Sequence, residues 1–165
     1  MTITNNNRFL FFLLFLLITL SDTQFCHGKE LCIGNNSTLD CLKDNFDNLY
    51  TTDYAHFWHI LRMAEKDAVG CKCNSETAAF LKLAAVVRTN AEFNEYLNEV
   101  IERLATNHPE CFFDSLLLLD IDNVTKIITI LKHPIFVEQQ EIDNVFSKYM
   151  NKEKYRAIMD IYFQK

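Results

Sequence analysis

The stretch FNEYLNEVIERL, residues 93–104, decides the fold of this 165-residue chain. Its apolar side chains recur at i, i+3, i+4, i+7, i+8 and i+11, which is the spacing of one face of an α-helix. They are Phe93, Tyr96, Leu97, Val100, Ile101 and Leu104. The residues between them are charged or carry amides, so the pattern predicts an amphipathic helix that buries one face.

The same helical period continues on both sides of this stretch, whereas an alternating strand period is almost absent. It predicts helices over residues 39–49, 54–69, 75–87, 93–104, 109–119, 122–131, 142–149 and 155–162. Their caps and breaks are expected at Ser37 or Thr38, Asp53, Gly70, Ser75, Asn90, Pro109, Asp122 and Pro134. The expected fold is all-α, a single compact bundle or a short stack of about eight short antiparallel helices. Because Cys111–Leu119 is apolar on nearly every side, we expect that segment to be the central helix.

The N-terminal residues have the pattern of a secretory signal peptide. Phe9 to Leu20 is an unbroken apolar run that follows Arg8, and it is too short to anchor stably in a bilayer. We expect residues 1–23 to be a signal peptide, with cleavage between residues 21 and 28, and residues 24–165 to form one helical domain. The predicted location is the periplasm or the extracellular space.

Six cysteines lie outside the apolar run, and an exported chain matures where thiols can be oxidised. They are Cys26, Cys32, Cys41, Cys71, Cys73 and Cys111. We expect disulfides that staple the helices, with Cys41 bonded to one member of the Cys71–Cys73 pair and Cys111 bonded to the other. Cleavage after Gly28 would remove Cys26.

The charge of the chain argues against some classes of binding partner. The formal net charge is -6, and acidic and basic residues are interspersed without a basic cluster. Nucleic-acid binding requires such a cluster, and anionic lipid headgroups repel an acidic protein. A protein partner would be favoured if its surface were basic.

Motifs for catalysis and for cofactors are weak or absent. His56 and His59 follow Asp53 on one predicted helix, but this spacing supplies too few metal ligands by itself. The sequence has no serine elbow, phosphate loop or dinucleotide fingerprint, so we predict no cofactor. We expect the carboxylates of Glu99, Glu102, Asp120 and Asp122 to lie on solvated helix faces or to cap helices.

Three functions remain open. The first is an exported, non-enzymatic binding protein that occludes a partner, resembling periplasmic inhibitors and immunity proteins only in size, export and helicity. Its expected contact loops contain Asn74, Ser75, Glu76, Pro134, Phe136 and Glu138. The second is a carrier of an apolar small molecule, whose pocket would be lined by Phe112, Phe113, Phe136 and Phe146. The third is a metal or redox enzyme that uses His56, His59 and the cysteines.

Tyr50, Tyr54 and Tyr162 fit either an interface or a buried stripe. No feature of the sequence indicates an oligomeric state.

Overall fold

The structure, a computed structural model, describes residues 39–84 and 90–164, without the side chain of Cys41. Across these ranges the regular secondary structure is entirely helical, which confirms the all-α prediction. The helices are α1 Leu39–Asp44, α2 Phe46–Thr52, α3 Tyr54–Val69, α4 Asn74–Ala84, α5 Ala91–Asn107, α6 Pro109–Leu116, α7 Ile121–Leu131, α8 Gln139–Tyr149 and α9 Arg156–Phe163. A 3₁₀ turn, Glu153–Tyr155, precedes α9.

The predicted first helix is two helices, because the chain breaks at Asn45 between α1 and α2. Asp44 and Asn45 both have low helix propensity, since their short polar side chains compete for backbone hydrogen bonds. The expected cap at Ser37 or Thr38, the predicted signal peptide and the end of the third predicted helix lie outside the described residues.

Two of the helix starts expected from local sequence have side-chain caps, whereas Ser75, expected to start a helix, lies inside α4, which begins at Asn74. Asp53 and Asn90 accept hydrogen bonds from the backbone N–H groups of His56 and Phe93, at 3.2 and 2.9 Å. Such side-chain caps satisfy N–H groups that have no partner within the helix. The sixth predicted helix begins earlier than expected, because its cap is Asp120 rather than Asp122.

The prediction that Cys111–Leu119 forms the central helix was wrong. Helices α4 and α5 occupy the centre, because each packs against five of the other described helices, whereas α6 packs mainly against these two. The segment expected there ends as a helix at Leu116, and Leu117 and Leu118 are 42% and 59% exposed. The chain turns after α6, so those two side chains leave the buried face.

One disulfide joins the loop between α3 and α4 to the first turn of α6. It is Cys71–Cys111, with a Cα–Cα distance of 5.9 Å, as expected for one member of the cysteine pair. Helix α3 ends at Gly70 as predicted, yet the residue with left-handed backbone geometry is Cys71, with φ of 50°. Cys73 is also disulfide-bonded. Cys26, Cys32 and the Cys41 side chain lie outside the described part of the chain.

The buried apolar side chains form one continuous cluster that contains two groups of aromatic rings. The N-terminal aromatic cluster contains Phe46, Tyr50, Tyr54, Phe57, Trp58, Phe93 and Tyr96. The C-terminal aromatic cluster contains Phe112, Phe113, Phe146, Tyr149, Tyr155, Tyr162 and Phe163. None of the helices described here is both long and apolar enough to cross a membrane.

Candidate functional site

An open groove of about 710 Å³ lies between α3 and α5, beside the loop that precedes α8. We call it the aromatic groove. The residues that line it include Tyr54, Trp58 and Arg62 from α3, Glu95, Tyr96 and Glu99 from α5, and Phe136 from the loop.

Trp58 joins the outer rings of this groove. Its ring centroid lies 6.0 Å from that of Tyr54 and 5.1 Å from that of Tyr96, with interplanar angles of 68° and 81°. Edge-to-face contacts of this kind stabilise aromatic pairs beyond their buried area. Trp58 is 9% exposed, whereas Tyr54 is 48% exposed and forms the outer wall.

The indole N–H of Trp58 is an unusual polar group. Its Nε1 atom is buried and has no hydrogen-bond acceptor of suitable geometry among the described residues. The neighbouring Tyr54 hydroxyl interacts with Trp58 but does not complete such a bond. A buried donor without a partner is unfavourable, and because the Nε1 atom itself is buried, a ligand acceptor reaches it only when a neighbouring side chain moves.

The tyrosine hydroxyls of the groove are held by carboxylates. Tyr50 and Tyr54 each donate a hydrogen bond of 2.6 Å to Glu92. The bond from Tyr50, and next the one from Tyr54, lower the pKa of Glu92, which favours its charged form. Tyr96 donates to Glu65, which also binds Arg103 at 2.7 Å. These contacts link α2, α3 and α5 around the groove.

The side chain of Glu102 anchors the loop at the edge of the groove. Glu102 is fully buried on α5, and its carboxylate accepts bonds from the backbone N–H groups of Ile135, Phe136 and Val137, at 2.9, 2.7 and 3.0 Å. Ile135 and Phe136 are nevertheless 62% and 47% exposed. We call residues 134–138 the Phe136 loop. Its backbone is fixed from inside while two large apolar side chains face outward.

The expectation that Glu102 is solvated was therefore wrong. Glu102 lies three positions before Ala105, which is also fully buried, and the buried face of α5 is wider than its apolar stripe. The only sequence signal was this neighbouring alanine, because nothing local shows that a distant loop covers the helix there. Asp120, expected to lie on a solvated helix face or at a cap, is the N-cap of α7.

The charges that line the groove are mostly acidic. Glu92, Glu95 and Glu99 project from α5, opposite the guanidinium of Arg62. Glu95 is exposed, and no residue in the described ranges forms an ion pair with it. Glu99 has a long contact of 3.4 Å to Arg103.

Only one of the two predicted contact segments is a loop in the structure. Asn74, Ser75 and Glu76 are not a loop; they form the first turn of α4, where Asn74 is followed by a continuous helix. Pro134, Phe136 and Glu138 do lie in a loop, and Phe136 lines the aromatic groove. A second open groove of about 530 Å³ lies beside Ser75.

The other predicted residues are dispersed. His59 lies at the groove, whereas His56 belongs to the first turn of α3, capped by Asp53. Within the described ranges no group of three His, Cys, Asp or Glu side chains is close enough to hold a metal ion. Phe112, Phe113 and Phe146 are fully buried, so among the phenylalanines expected to line a carrier pocket only Phe136 lines the aromatic groove.

No protein family, no curated protein and no solved structure matches the chain.

Proposed function

We propose that this protein is an exported, non-enzymatic binding protein that engages another protein through the Phe136 loop and the aromatic groove. Binding would cover the partner's surface and block its activity, as an inhibitor or immunity-type protein does. The observation that supports the proposal is the Glu102 carboxylate, which holds the loop by three backbone hydrogen bonds.

The energetics of the loop favour a binding role over a purely structural one. Burying a carboxylate is costly unless several donors satisfy it. Here those donors belong to a loop that leaves Ile135 and Phe136 exposed. A loop already held in one conformation loses little entropy when a partner binds, and aromatic side chains often dominate binding energy.

Export is supported by two independent features. The apolar run from Phe9 to Leu20 has the length of a signal peptide core. The Cys71–Cys111 disulfide is compatible with a compartment in which thiols are oxidised. The proposed location is therefore the periplasm or the extracellular space.

The groove suits a protein partner better than an apolar cargo. Its volume of about 710 Å³ is within the range of small-molecule sites. However, its open side is bordered by the carboxylates of Glu92, Glu95 and Glu99 and by Arg62. Enclosure of an apolar molecule would leave these charges against it, whereas a polar peptide segment can pair with them.

Site-specific photo-crosslinking tests the proposal. A benzoylphenylalanine replaces Phe136 in the full chain, which is produced in its native host and irradiated there. The matched control carries the same residue at Phe163, which is 41% exposed in α9 and outside the groove. We expect one discrete cross-linked protein at position 136 that is absent at position 163. Equal labelling at both positions, or no cross-link at 136, would overturn the proposal.

The role of Glu102 is tested with the same reagent. Glu102→Gln keeps the size of the side chain but removes its charge, so it weakens the bonds that hold the loop. We expect the cross-link at position 136 to fall several-fold, whereas Glu153→Gln, on the exposed turn before α9, leaves it unchanged. Crosslinking that is indifferent to Glu102 would show that the fixed loop is not what the partner recognises.

A further inference from the structure

We propose that the aromatic groove binds a lysine or arginine side chain of the partner, with its cationic end between the rings and the carboxylates of α5. This inference rests on the binding role proposed above and names the chemistry that the groove recognises.

The rings provide the first part of the argument. Tyr54, Trp58 and Tyr96 meet at steep interplanar angles, so they form a corner rather than a flat surface. A cation over the face of an aromatic ring is attracted by the ring's negative face, and tryptophan is the best of the three ring types. Aromatic corners with nearby carboxylates are therefore suited to ammonium and guanidinium groups.

In the C-terminal aromatic cluster, two tyrosine rings have a lysine of the same chain over them. Lys152 lies 4.3 Å from the ring centroid of Tyr149, and Lys154 lies 5.3 Å from that of Tyr155. Both tyrosines thus have a lysine of the same chain over the ring. No cation in the described ranges lies over Trp58 or Tyr96. The groove has the rings of a cation site, and its neighbouring cations, Arg62 and Arg103, act on Tyr96 without lying over either ring.

The electrostatics of the groove favour a cation. Three carboxylates face one guanidinium across it, and the hydrogen bonds from Tyr50 and then Tyr54 keep Glu92 in its charged form. Glu95 has the most accessible carboxylate because it is exposed and lacks an ion-pair partner in the described ranges. Arg62 opposes a second cation, so the favoured position is on the α5 side of the groove, near Glu95 and Glu99.

The unpaired N–H of Trp58 indicates a peptide rather than a free cation. Its Nε1 atom has no acceptor within the described part of the chain, although the side chain is about nine-tenths buried against the groove. A peptide that brings a basic side chain also brings a backbone carbonyl, which accepts such a bond. Ligand binding would then satisfy a donor that the free protein leaves without an acceptor, provided that a neighbouring side chain moves to expose the buried Nε1 atom.

Trp58 is the only tryptophan of the chain, so its fluorescence reports on the groove alone. The full chain is titrated with an N-acetylated, C-amidated hexapeptide that contains two arginines among alanines. Two matched peptides contain glutamine or glutamate in place of each arginine. We expect the arginine peptide to change the fluorescence with a Kd at least ten-fold below that of either matched peptide. Its affinity should fall several-fold between 50 and about 500 mM salt, since the carboxylates are exposed.

Two variants assign the effect to the groove. Glu95→Gln should raise the Kd of the arginine peptide at least three-fold. Glu153→Gln removes the same charge from the exposed turn before α9 and should leave that Kd unchanged. Equal binding of the glutamine peptide, stronger binding of the glutamate peptide through Arg62, or indifference to Glu95→Gln would each overturn the cation site.

The two proposals fail in different ways. If the peptides do not bind but position 136 still cross-links to one protein, the binding role stands and the cation site is wrong. If position 136 gives no specific cross-link, the binding role is wrong even where the arginine peptide binds.

Discussion

The two aromatic clusters are built from the same residue types but differ in what covers them. In the C-terminal cluster, Phe113 and Phe146 are fully buried, and α9 with its preceding turn places Tyr155 and Tyr162 against them. In the N-terminal cluster the inner phenylalanines are buried, but Tyr54 stays exposed at the groove. Aromatic content therefore does not distinguish a core from a site: each cluster has one exposed ring, Tyr54 or Phe163, and what differs is the groove beside Tyr54.

The two clusters also differ in whether their polar groups have hydrogen-bond partners. Tyr155 and Tyr162 donate hydrogen bonds to Asp114 and Asp143, at 2.7 and 2.5 Å, in the C-terminal cluster. In the N-terminal cluster the indole N–H of Trp58 has no acceptor within the described ranges. A cluster that only stabilises a fold has its polar groups satisfied, whereas one that awaits a ligand can leave one open.

The largest expected contrast concerns two phenylalanines. Phe146→Ala removes a fully buried ring that stacks on Tyr162, with centroids 3.8 Å apart, and should lower the free energy of unfolding by about 4 kcal/mol. Phe136→Ala should lower it by about 1 kcal/mol or less, because about half of that side chain is exposed. Equilibrium urea unfolding measures both. Similar losses for the two variants would contradict the distinction between core and site.

The next largest effect concerns the anchor of the Phe136 loop. Glu102→Ala leaves three backbone donors without their acceptor and should cost about 3 kcal/mol, whereas Glu99→Ala should be nearly neutral. Hydrogen exchange at the amides of residues 135–137 should quicken strongly in Glu102→Ala alone. Unchanged protection there would show that other groups hold the loop.

High pH should weaken the C-terminal cluster. Burial, and next the hydrogen bonds to Asp114 and Asp143, raise the pKa values of Tyr155 and Tyr162. The unfolded chain loses these protons from about pH 10, whereas the folded chain retains them, so the stabilisation is complete below pH 10 and is lost above it. The free energy of unfolding should fall by at most about 1.4 kcal/mol per pH unit for each tyrosine.

Urea unfolding between pH 8 and 11, followed together with tyrosinate absorbance, measures this effect. The double variant Tyr155→Phe and Tyr162→Phe should have a smaller decline above pH 10. A decline of the same steepness in that variant would assign the alkaline loss to other groups.

The smallest expected contrast is between two tyrosine hydroxyls. Tyr155→Phe removes a bond to a charged carboxylate from a buried ring and should cost about 1.5 kcal/mol. Tyr54→Phe removes a bond of similar length to Glu92, but at an exposed position, and should cost less than about 0.5 kcal/mol. Thermal and urea unfolding of both variants at pH 7 measures the two losses in the free energy of unfolding. Equal costs would mean that the outer wall of the groove is as structural as the core.

Much of the fold follows from local patterns. The apolar period of residues 93–104 predicts α5, and Asp53, Asn90 and Pro109 begin the helices that were expected from them. These features depend on neighbours within one or two turns, so a sequence contains all that is needed. The pairing of Cys111 with one of the two loop cysteines is also consistent with the expected redox setting.

Less of the candidate site could be predicted. Phe136 was expected at a contact surface and does line the groove, but Glu102 was expected to be a solvated carboxylate. The groove forms only where α3, α5 and the Phe136 loop pack together. No local sequence pattern predicts that these three segments are in contact. The wrong choice of central helix has the same cause: an apolar segment shows that burial is favourable, not where the chain turns.

The sequence by itself determined the helices, their caps and the acidic balance of the chain, because each depends on residues close together along it. Only the tertiary structure decided which aromatic rings are covered and which carboxylate is buried. Glu102 and Ile135 are 33 positions apart, and their hydrogen bond exists only because α5 and the Phe136 loop pack together. The groove arises from contacts of this long range, whose formation depends on how the whole chain fills its core.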